Sequence, residues 1–138
     1  MIDVTKIWDR LFLGSLLDAE RLGRANPLGI SAVISLSETA PCNTRREITY
    51  IHVPIDDAQP IPVDQFEGVI SAIAANIRCG KVLIHCGSGV SRAPVMTAAW
   101  MHVAGYKNFD AALKEIAALR PFINPSAILV ATVRGYLR

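Results

Sequence analysis

The sequence predicts an α/β fold in which helices flank a central, mostly parallel β-sheet. Four short apolar segments have the length of buried strands. Longer segments between them carry apolar residues at helical spacing. Apolar residues make up 51% of the chain and charged residues 19%, which is enough to bury a full core and argues against disorder. Because strands that alternate with helices are typical of parallel sheets, these observations favour the layered α/β class.

Each predicted strand is a short apolar run with a local stop signal. Gly14 ends the first, Pro54 ends the third and Gly80 precedes the fourth. The second and third runs are rich in β-branched or aromatic residues, which favour strands. The predicted strands are residues 10–13, 32–36, 49–53 and 81–85.

The predicted helices fill the intervals. Ser15 followed by Asp18 is typical of a helix start, and Asn108 can cap another helix that Pro121 ends. The helix over residues 93–104 is apolar on almost every side, so we expect it to be buried. The predicted helices are residues 16–25, 63–77 and 93–104, the segment from Asn108 to Pro121, and residues 126–137.

Length and charge predict one domain over residues 1–138. A net charge of +2 indicates no broad nucleic-acid surface. The first ten residues lack the basic and apolar runs of a secretion signal, and charges or prolines interrupt every apolar stretch before it could span a bilayer. We therefore expect a cytoplasmic monomer that binds neither nucleic acid nor membrane.

The cysteines are Cys42, Cys79 and Cys86. An odd number without a C-x-x-C pair argues against a disulfide framework and against a structural zinc site. A thiol in a reducing compartment is available for chemistry. We predict no metal and no other cofactor. A protective disulfide from Cys42 or Cys79 to Cys86 is an alternative under oxidising conditions.

The segment after His85 combines features that suit a bound dianion. A strand ends at Cys86, a glycine-rich loop follows, and a helix opens at or near Arg92. Such a loop turns its backbone N–H groups inward, the helix start adds partial positive charge, and the arginine fork matches two phosphate oxygens. The predicted phosphate-binding residues are Gly87, Ser88, Gly89, Val90, Ser91 and Arg92.

Cys86 lies at the floor of this predicted cradle. The same positive field favours an ionised thiol, so we expect Cys86 to attack phosphorus as a nucleophile. A buried structural thiol is the alternative for an isolated cysteine, but the loop, the helix and Arg92 together favour catalysis. The role of His85 stays open between a core histidine and a residue that supports the Cys86 backbone.

Here the sequence resembles a known family. The run HCGSGVSR matches the HC-x-x-G-x-x-R signature of the protein tyrosine phosphatase superfamily, and the wider pattern is similar to its dual-specificity branch. The resemblance implies a protein tyrosine phosphatase-like fold over nearly the whole chain. Supporting similarities lie at residues 10–15, 29–36, 50–57 and 120–126.

A phosphatase of this kind needs a carboxylic acid to protonate the leaving oxygen. Asp56 and Asp57 follow the third predicted strand and are the candidates. The family has its acid three residues after a proline, so the resemblance with Pro54 implies Asp57. Asp56 and a merely solvated turn remain alternatives.

Two positions depart from the family pattern. Ala93 follows Arg92, where the family usually has a hydroxyl that is thought to stabilise the departing thiolate. Its absence implies a slower second step. Ser126 stands where asparagine is common, which weakens any hydrogen bond inferred there. The polar stretch at residues 37–47 could border the pocket, with Arg45 and Arg46 either attracting an anion or merely solvated.

The predicted function is hydrolysis of phosphotyrosine in proteins or peptides through a phosphocysteine, with phosphoserine and phosphothreonine as further substrates. One alternative is a non-protein ester, such as an inositol phosphate or an RNA 5′ end; the loop between Cys86 and Arg92 has no lysine or arginine, which disfavours highly phosphorylated ligands. A second alternative is a phosphate-binding module with weak turnover. A rhodanese-like sulfurtransferase fits the aspartate pair poorly.

Overall fold

The computed structural model describes residues 3–138 and confirms the α/β class. Five strands form one sheet in the order β1-β2-β5-β3-β4. The strands are β1 (Thr5–Trp8), β2 (Leu11–Ser15), β3 (Ile30–Ser35), β4 (Thr49–His52) and β5 (Lys81–Cys86). The helices are α1 (Leu16–Leu22), α2 (Val63–Ile77), α3 (Arg92–Val103), α4 (Phe109–Leu119) and α5 (Ala127–Tyr136).

Four of the five strands are parallel, and β1 is antiparallel to β2 at one edge. The central strand β5 lies between β2 and β3. Its register pairs Cys86 with Ser15 and His85 with Ser35. The carboxyl ends of these strands therefore meet at one edge of the sheet, where ligands bind in folds of this class.

Alternate residues of each strand face two separate cores, because side chains alternate across a sheet. Leu13, Ile34 and Ile84 belong to the larger core, which α2 to α5 cover on one face. Phe12 and Leu83 belong to a smaller core on the other face, where α1 packs. Burial on both faces explains why these strands read as continuous apolar runs.

Helix α3 lies in the middle of the larger core. Every residue from Ala93 to Met101 is buried, as its all-round apolar sequence predicts. At its amino end Pro94 occupies the first turn, where a missing N–H costs no helical hydrogen bond. The helix start is therefore fixed rigidly behind the end of β5.

The structure differs from the sequence prediction at the amino-terminal end. The first predicted strand does not end at Gly14; β2 continues to Ser15, and Gly14 pairs with His85 inside the sheet. Strand β1 was not predicted, because it has four residues with a single buried one, Ile7, and depends on pairing with β2. No helix within residues 3–138 has both the length and the apolar content needed to cross a bilayer.

Candidate active site

A pocket of about 400 Å³ opens at the carboxyl edge of the sheet. It brings the loop after Cys86 together with the segment after β4, as expected for parallel strands. Three of its lining residues are acidic and one is basic. The lining residues are Leu16, Ser37, Glu38, Thr39, Pro54, Ile55, Asp56, Asp57, Gly87 and Arg92.

Cys86 is the last residue of β5 and is only 2% exposed. Its Sγ lies 3.4 Å from the backbone nitrogen of Ala93, which donates to the sulfur from the first turn of α3. The sulfur thus receives a hydrogen bond from the helix start, whose partial positive charge favours an anion. The Ala93 amide supplies this contact although the residue has no side-chain hydroxyl.

Hydrogen bonds hold the loop after Cys86 in place. The carbonyl oxygens of the loop accept them from donors elsewhere in the chain. In a trans peptide the carbonyl and the next N–H point in opposite directions. Carbonyls that face outward therefore turn the following amides toward the inside of the loop. The contacts are Leu16 N to Gly87 O at 3.0 Å, Arg120 Nε to Gly89 O at 3.0 Å, Arg120 Nη2 to Ser88 O at 3.5 Å and Asn124 N to Val90 O at 2.7 Å.

The amides that result have no protein acceptor. Within residues 3–138, none of the backbone N–H groups from residue 88 to residue 91 donates a hydrogen bond. Gly89 makes this shape possible because its φ is +74°, a conformation that other residues adopt at a cost. The loop that follows Cys86 therefore carries four successive backbone donors without a protein acceptor in the described part of the chain, which suits a tetrahedral oxyanion.

Arg92 lies beside this loop. Its Nη1 donates to the carbonyl of Ile55 at 3.1 Å and to that of Leu36 at 3.5 Å, which anchors the guanidinium. Its Nε is buried and has no acceptor among the described residues. Its Nη2 lies next to the loop, since a Cβ added to Gly87 would be 3.2 Å from it. Two donors of the fork are thus available to an anion in the pocket.

Asp57 reaches the same loop from the segment after β4. Its Oδ1 accepts hydrogen bonds from the Ser91 hydroxyl and the Ala58 amide, both at 3.0 Å. The Ser91 hydroxyl also accepts from the Ser126 amide at 2.9 Å, which orients its proton toward Asp57. Ser126 therefore makes its contact through the backbone, which any residue other than proline can supply. Asp56 lines the pocket but has no hydrogen bond within the described chain.

His85 precedes Cys86 on β5 and is fully buried. Its Nδ1 donates to the Cys86 carbonyl at 3.2 Å, because a carbonyl can only accept. Its Nε2 then accepts the Ser35 hydroxyl at 2.6 Å. Burial lowers the pKa of His85 below its ordinary value of 6.5, and the hydrogen bond to Cys86 opposes this shift only in part. A neutral ring that holds the Cys86 backbone agrees with the supporting role rather than with proton transfer.

The stretch at residues 37–47 borders the pocket with Ser37, Glu38 and Thr39 rather than with its arginines. Arg45 instead pairs with Glu47 and donates to the Arg24 carbonyl. The expectation that Arg45 attracts an anion at the pocket is therefore not supported by its position.

Glu20 anchors this stretch from α1. Its carboxylate accepts from the amides of Cys42 and Asn43, and these hydrogen bonds lower its pKa from the ordinary 4.5. The cysteines are all unbonded, with Cys42 and Cys79 exposed. Cys79 precedes β5 while Cys86 ends it, so the five strand residues 81–85, at about 3.3 Å each, separate them, too far for a disulfide. That pairing is wrong on geometry.

Sequence reasoning missed three supports of the loop: the Leu16 amide, the Asn124 amide and the Arg120 side chain. The two amides give no sequence signal, because any residue but proline can supply them. In the sequence, Arg120 stands out only as part of a segment that resembles the family. Within the described residues, no three His, Cys, Asp or Glu side chains converge as metal ligands.

Comparison with known proteins shows which family this chain belongs to. The family model of the dual specificity phosphatase catalytic domain matches residues 11–138. Human dual specificity protein phosphatase 15 is 30% identical over 118 residues, which are 84% of this chain and 40% of that protein. The mouse protein of the same name is 29% identical over 128 residues, or 89% of this chain and 53% of that protein. This chain thus spans only about half the length of these curated relatives.

The fold agrees with this match. The crystal structure of DUSP15 superposes with a TM-score of 0.85 at 26% identity and covers 97% of this chain and 86% of that chain. Sequence and fold therefore agree over nearly the whole chain, and it belongs to the dual specificity phosphatase family through the catalytic domain.

Proposed function

We propose that the protein is a cysteine-dependent phosphatase that hydrolyses phosphate monoesters on proteins through a phosphocysteine at Cys86. The observation that supports it most is the run of unpaired amides in the loop that follows Cys86, together with the unpaired Nε of Arg92. Free donors beside a nucleophile suit a charged phosphoryl group and its transition state.

In the first step the loop amides and Arg92 bind the phosphate oxygens. The Cys86 thiolate attacks phosphorus on the side opposite the leaving oxygen, the S–P bond forms and the P–O bond breaks. The amides gain most when negative charge spreads over the equatorial oxygens, so they lower the barrier rather than only the ground state.

Asp57 supplies the proton in this step. Its carboxylic acid protonates the leaving oxygen, so that an alcohol or phenol departs. The Ser91 hydroxyl, 3.0 Å from Oδ1, holds the carboxyl against the rim of the loop. Asp56 has no such contact, which favours Asp57 of the two.

In the second step Asp57 is ionised and takes a proton from water. The oxygen of that water attacks phosphorus, the S–P bond breaks, and Cys86 leaves as a thiolate while inorganic phosphate forms. The Ala93 amide, 3.4 Å from Sγ, stabilises the sulfur as it regains its charge. A side-chain hydroxyl would add a second donor there, and its absence implies a slow hydrolysis.

The charges of the pocket bear on the substrate. Glu38 and Asp56 line it without any basic partner in residues 3–138, and Arg92 is the basic residue of the lining. A single phosphate suits such a pocket better than a polyphosphorylated inositol. We therefore propose that the substrates are phosphotyrosine, phosphoserine and phosphothreonine in proteins or peptides. We also propose that the protein is a cytoplasmic monomer that binds neither membrane nor nucleic acid.

The test measures hydrolysis of two aryl phosphates, one with a good and one with a poor leaving group. We expect Cys86→Ser to abolish turnover of both, and Cys79→Ser, which changes a cysteine at the far end of β5, to leave both unchanged. We expect Asp57→Asn to slow the poor leaving group by about 10²-fold or more and the good one much less. Asp56→Asn should change the rates for both substrates by the same factor, because Asp56 is not the proposed proton donor.

Two outcomes would overturn the proposal. One is a Cys86→Ser protein that hydrolyses as fast as the native enzyme. The other is native protein that turns over an inositol polyphosphate with a higher kcat/KM than it does a phosphotyrosine peptide, which would favour the non-protein substrate class.

A further inference from the structure

Arg120 is a charged side chain in the interior, only 1% exposed. None of the ion pairs within residues 3–138 includes it. Neutral oxygens and the ring of Phe122, 4.5 Å from its guanidinium carbon, surround the charge. A buried cation without a carboxylate is costly, so its other contacts should explain why it is there.

The guanidinium joins two distant parts of the chain. On one side Nε donates to Gly89 O at 3.0 Å and Nη2 lies 3.5 Å from Ser88 O, both in the loop after Cys86. On the other side Nη1 donates to Asp3 O at 3.1 Å and to Thr5 Oγ1 at 2.8 Å. The fork therefore spans from the cradle to the segment that leads into β1.

The planar guanidinium of Arg120 contacts two neighbouring carbonyls, those of Ser88 and Gly89, and so fixes two successive peptide planes. The amides that follow these carbonyls, those of Gly89 and Val90, then face the anion site. A lysine has one nitrogen and could not hold this pair of carbonyls together with Thr5. The charge of Arg120 also lies directly outside the loop, where it attracts anions.

The amino-terminal segment also connects to the other support of the loop. The Asp3 amide donates to Oδ1 of buried Asp18 at 2.8 Å. Asp18 caps the start of α1, where the Leu16 amide holds the Gly87 carbonyl. Asp3 thus bridges the two supports, with Asp18 on its N–H and Arg120 on its carbonyl.

We infer that Arg120 is a positioning residue that orients the amides of the cradle, with residues 3–5 as its outer anchor. Arg120 touches no reacting atom and acts through Ser88 and Gly89. The inference rests on the proposed function only where turnover is measured, because orientation of the amides also governs how anions reach Cys86.

The experiment compares Arg120→Met, Arg120→Lys and Thr5→Val with native protein by two measurements. The first is kcat/KM for an aryl phosphate. The second is the rate of alkylation at Cys86 by iodoacetate divided by that by iodoacetamide, read by peptide mass spectrometry. The ratio measures attraction of an anion to the cradle without turnover, and exposed Cys79 in the same sample gives the reference ratio.

We expect Arg120→Met to lower kcat/KM by at least about 10-fold, short of the 10²–10³-fold typical for a deleted oxyanion donor. The Cys86 alkylation ratio should fall toward that of Cys79. Arg120→Lys should lose less in both, and Thr5→Val should lose about 2-fold to 5-fold in kcat/KM, since one anchor of the fork remains. Arg134→Met, which removes an exposed arginine paired with Asp110, should change neither measurement.

An Arg120→Met protein with native melting temperature, native kcat/KM and native alkylation ratio would overturn the inference. If that variant does not fold, Arg120→Lys decides by the same two measurements. Native protein without turnover, but with a raised Cys86 ratio that Arg120→Met lowers, would refute the proposed function and leave the inference intact. If Thr5→Val has native kcat/KM and a native alkylation ratio, residues 3–5 do not anchor Arg120 and that part of the inference is wrong.

Discussion

Ser91 connects the proposed acid to the loop that follows Cys86. Its hydroxyl accepts from the Ser126 amide, so its proton is directed at Asp57 Oδ1. The carboxyl itself is exposed and has only this contact and the Ala58 amide to hold it. Its direction therefore depends on a single side chain of the loop.

Ser91→Ala should consequently impair proton transfer while leaving phosphate binding intact. We expect kcat/KM to fall about 10-fold for an aryl phosphate with a poor leaving group, a fraction of the 10²–10⁴ that general acids contribute. A good leaving group needs little proton transfer and should show almost no loss. The measurement is the ratio of kcat/KM for the two substrates.

Ser88→Ala is the matched control for this prediction. Ser88 lies in the same loop and is exposed, and the substitution keeps its backbone amide. It should leave the ratio of the two substrates at the native value. Equal losses on both substrates in Ser91→Ala would show that Ser91 shapes the loop instead of orienting the acid.

At the scale of elements, the unit that matters is β5, the loop and α3. Gly89 is its most constrained point, since a Cβ there would lie 2.6 Å from both the Gly14 carbonyl oxygen and Nη2 of Arg120. The backbone of β2 cannot give way, because Gly14 is paired with His85 in the sheet. Loop and sheet thus fit only with glycine at this position.

Gly89→Ala should therefore displace the loop and lose the cradle. We expect kcat/KM for an aryl phosphate to fall by about 10²-fold or more, since several oriented amides move together. Gly29→Ala is the control: Gly29 also has a positive φ, +72°, but has open space around it and precedes β3 at the opposite edge of the sheet. Both variants should lose about 1–2 kcal/mol of stability from the backbone conformation alone, while only Gly89→Ala should lose activity.

This unit could be predicted from sequence because its information is local. One run of residues contains the strand end, the glycines and the helix start, so the position of Cys86 and the start of α3 at Arg92 followed directly. The supports of the loop could not be predicted in this way. Arg120 lies 31 residues from Gly89 in sequence, and tertiary packing, including that of α4 against α3, brings it to the loop.

The same reason explains the errors in the amino-terminal strands. A four-residue strand such as β1 has too few residues for a period to be visible, and its stability comes from pairing with β2. Gly14 reads locally as a stop, but β5 pairs with it and carries the strand on to Ser15. Tertiary contacts decided both cases.

For the whole molecule, His85 ties the cradle to the stability of the fold. It lies at the centre of the sheet, hydrogen-bonded to Cys86 on its own strand and to Ser35 on β3. Burial lowers its pKa below 6.5 in the folded state. The imidazole of the unfolded chain therefore becomes protonated near pH 6.5. In the native protein it becomes protonated only at a lower pH.

The sign of the pH effect follows from this difference. Between pH 6.5 and the lowered pKa of His85, the unfolded state binds more protons than the native state. The free energy of unfolding should therefore keep the whole contribution of His85 above about pH 6.5 and should decrease as the pH falls below that value. Urea denaturation at pH 7.5 and at pH 5.5 measures the decrease. His85→Asn keeps a donor near the Cys86 carbonyl but loses the buried ring, so it should be less stable than native protein at pH 7.5. Because asparagine cannot titrate, the variant should lose less stability than native protein between pH 7.5 and pH 5.5.

Glu20 provides the control, because its shift acts in another range. Its pKa is lowered from 4.5, so its contribution is present above about 4.5 and is lost only as the pH falls further. Glu20→Gln should keep the native decrease between pH 7.5 and 5.5. If His85→Asn loses as much stability over that range as native protein does, the buried imidazole is not its source. The strand that carries Cys86 would then be held independently of the charge on the His85 ring.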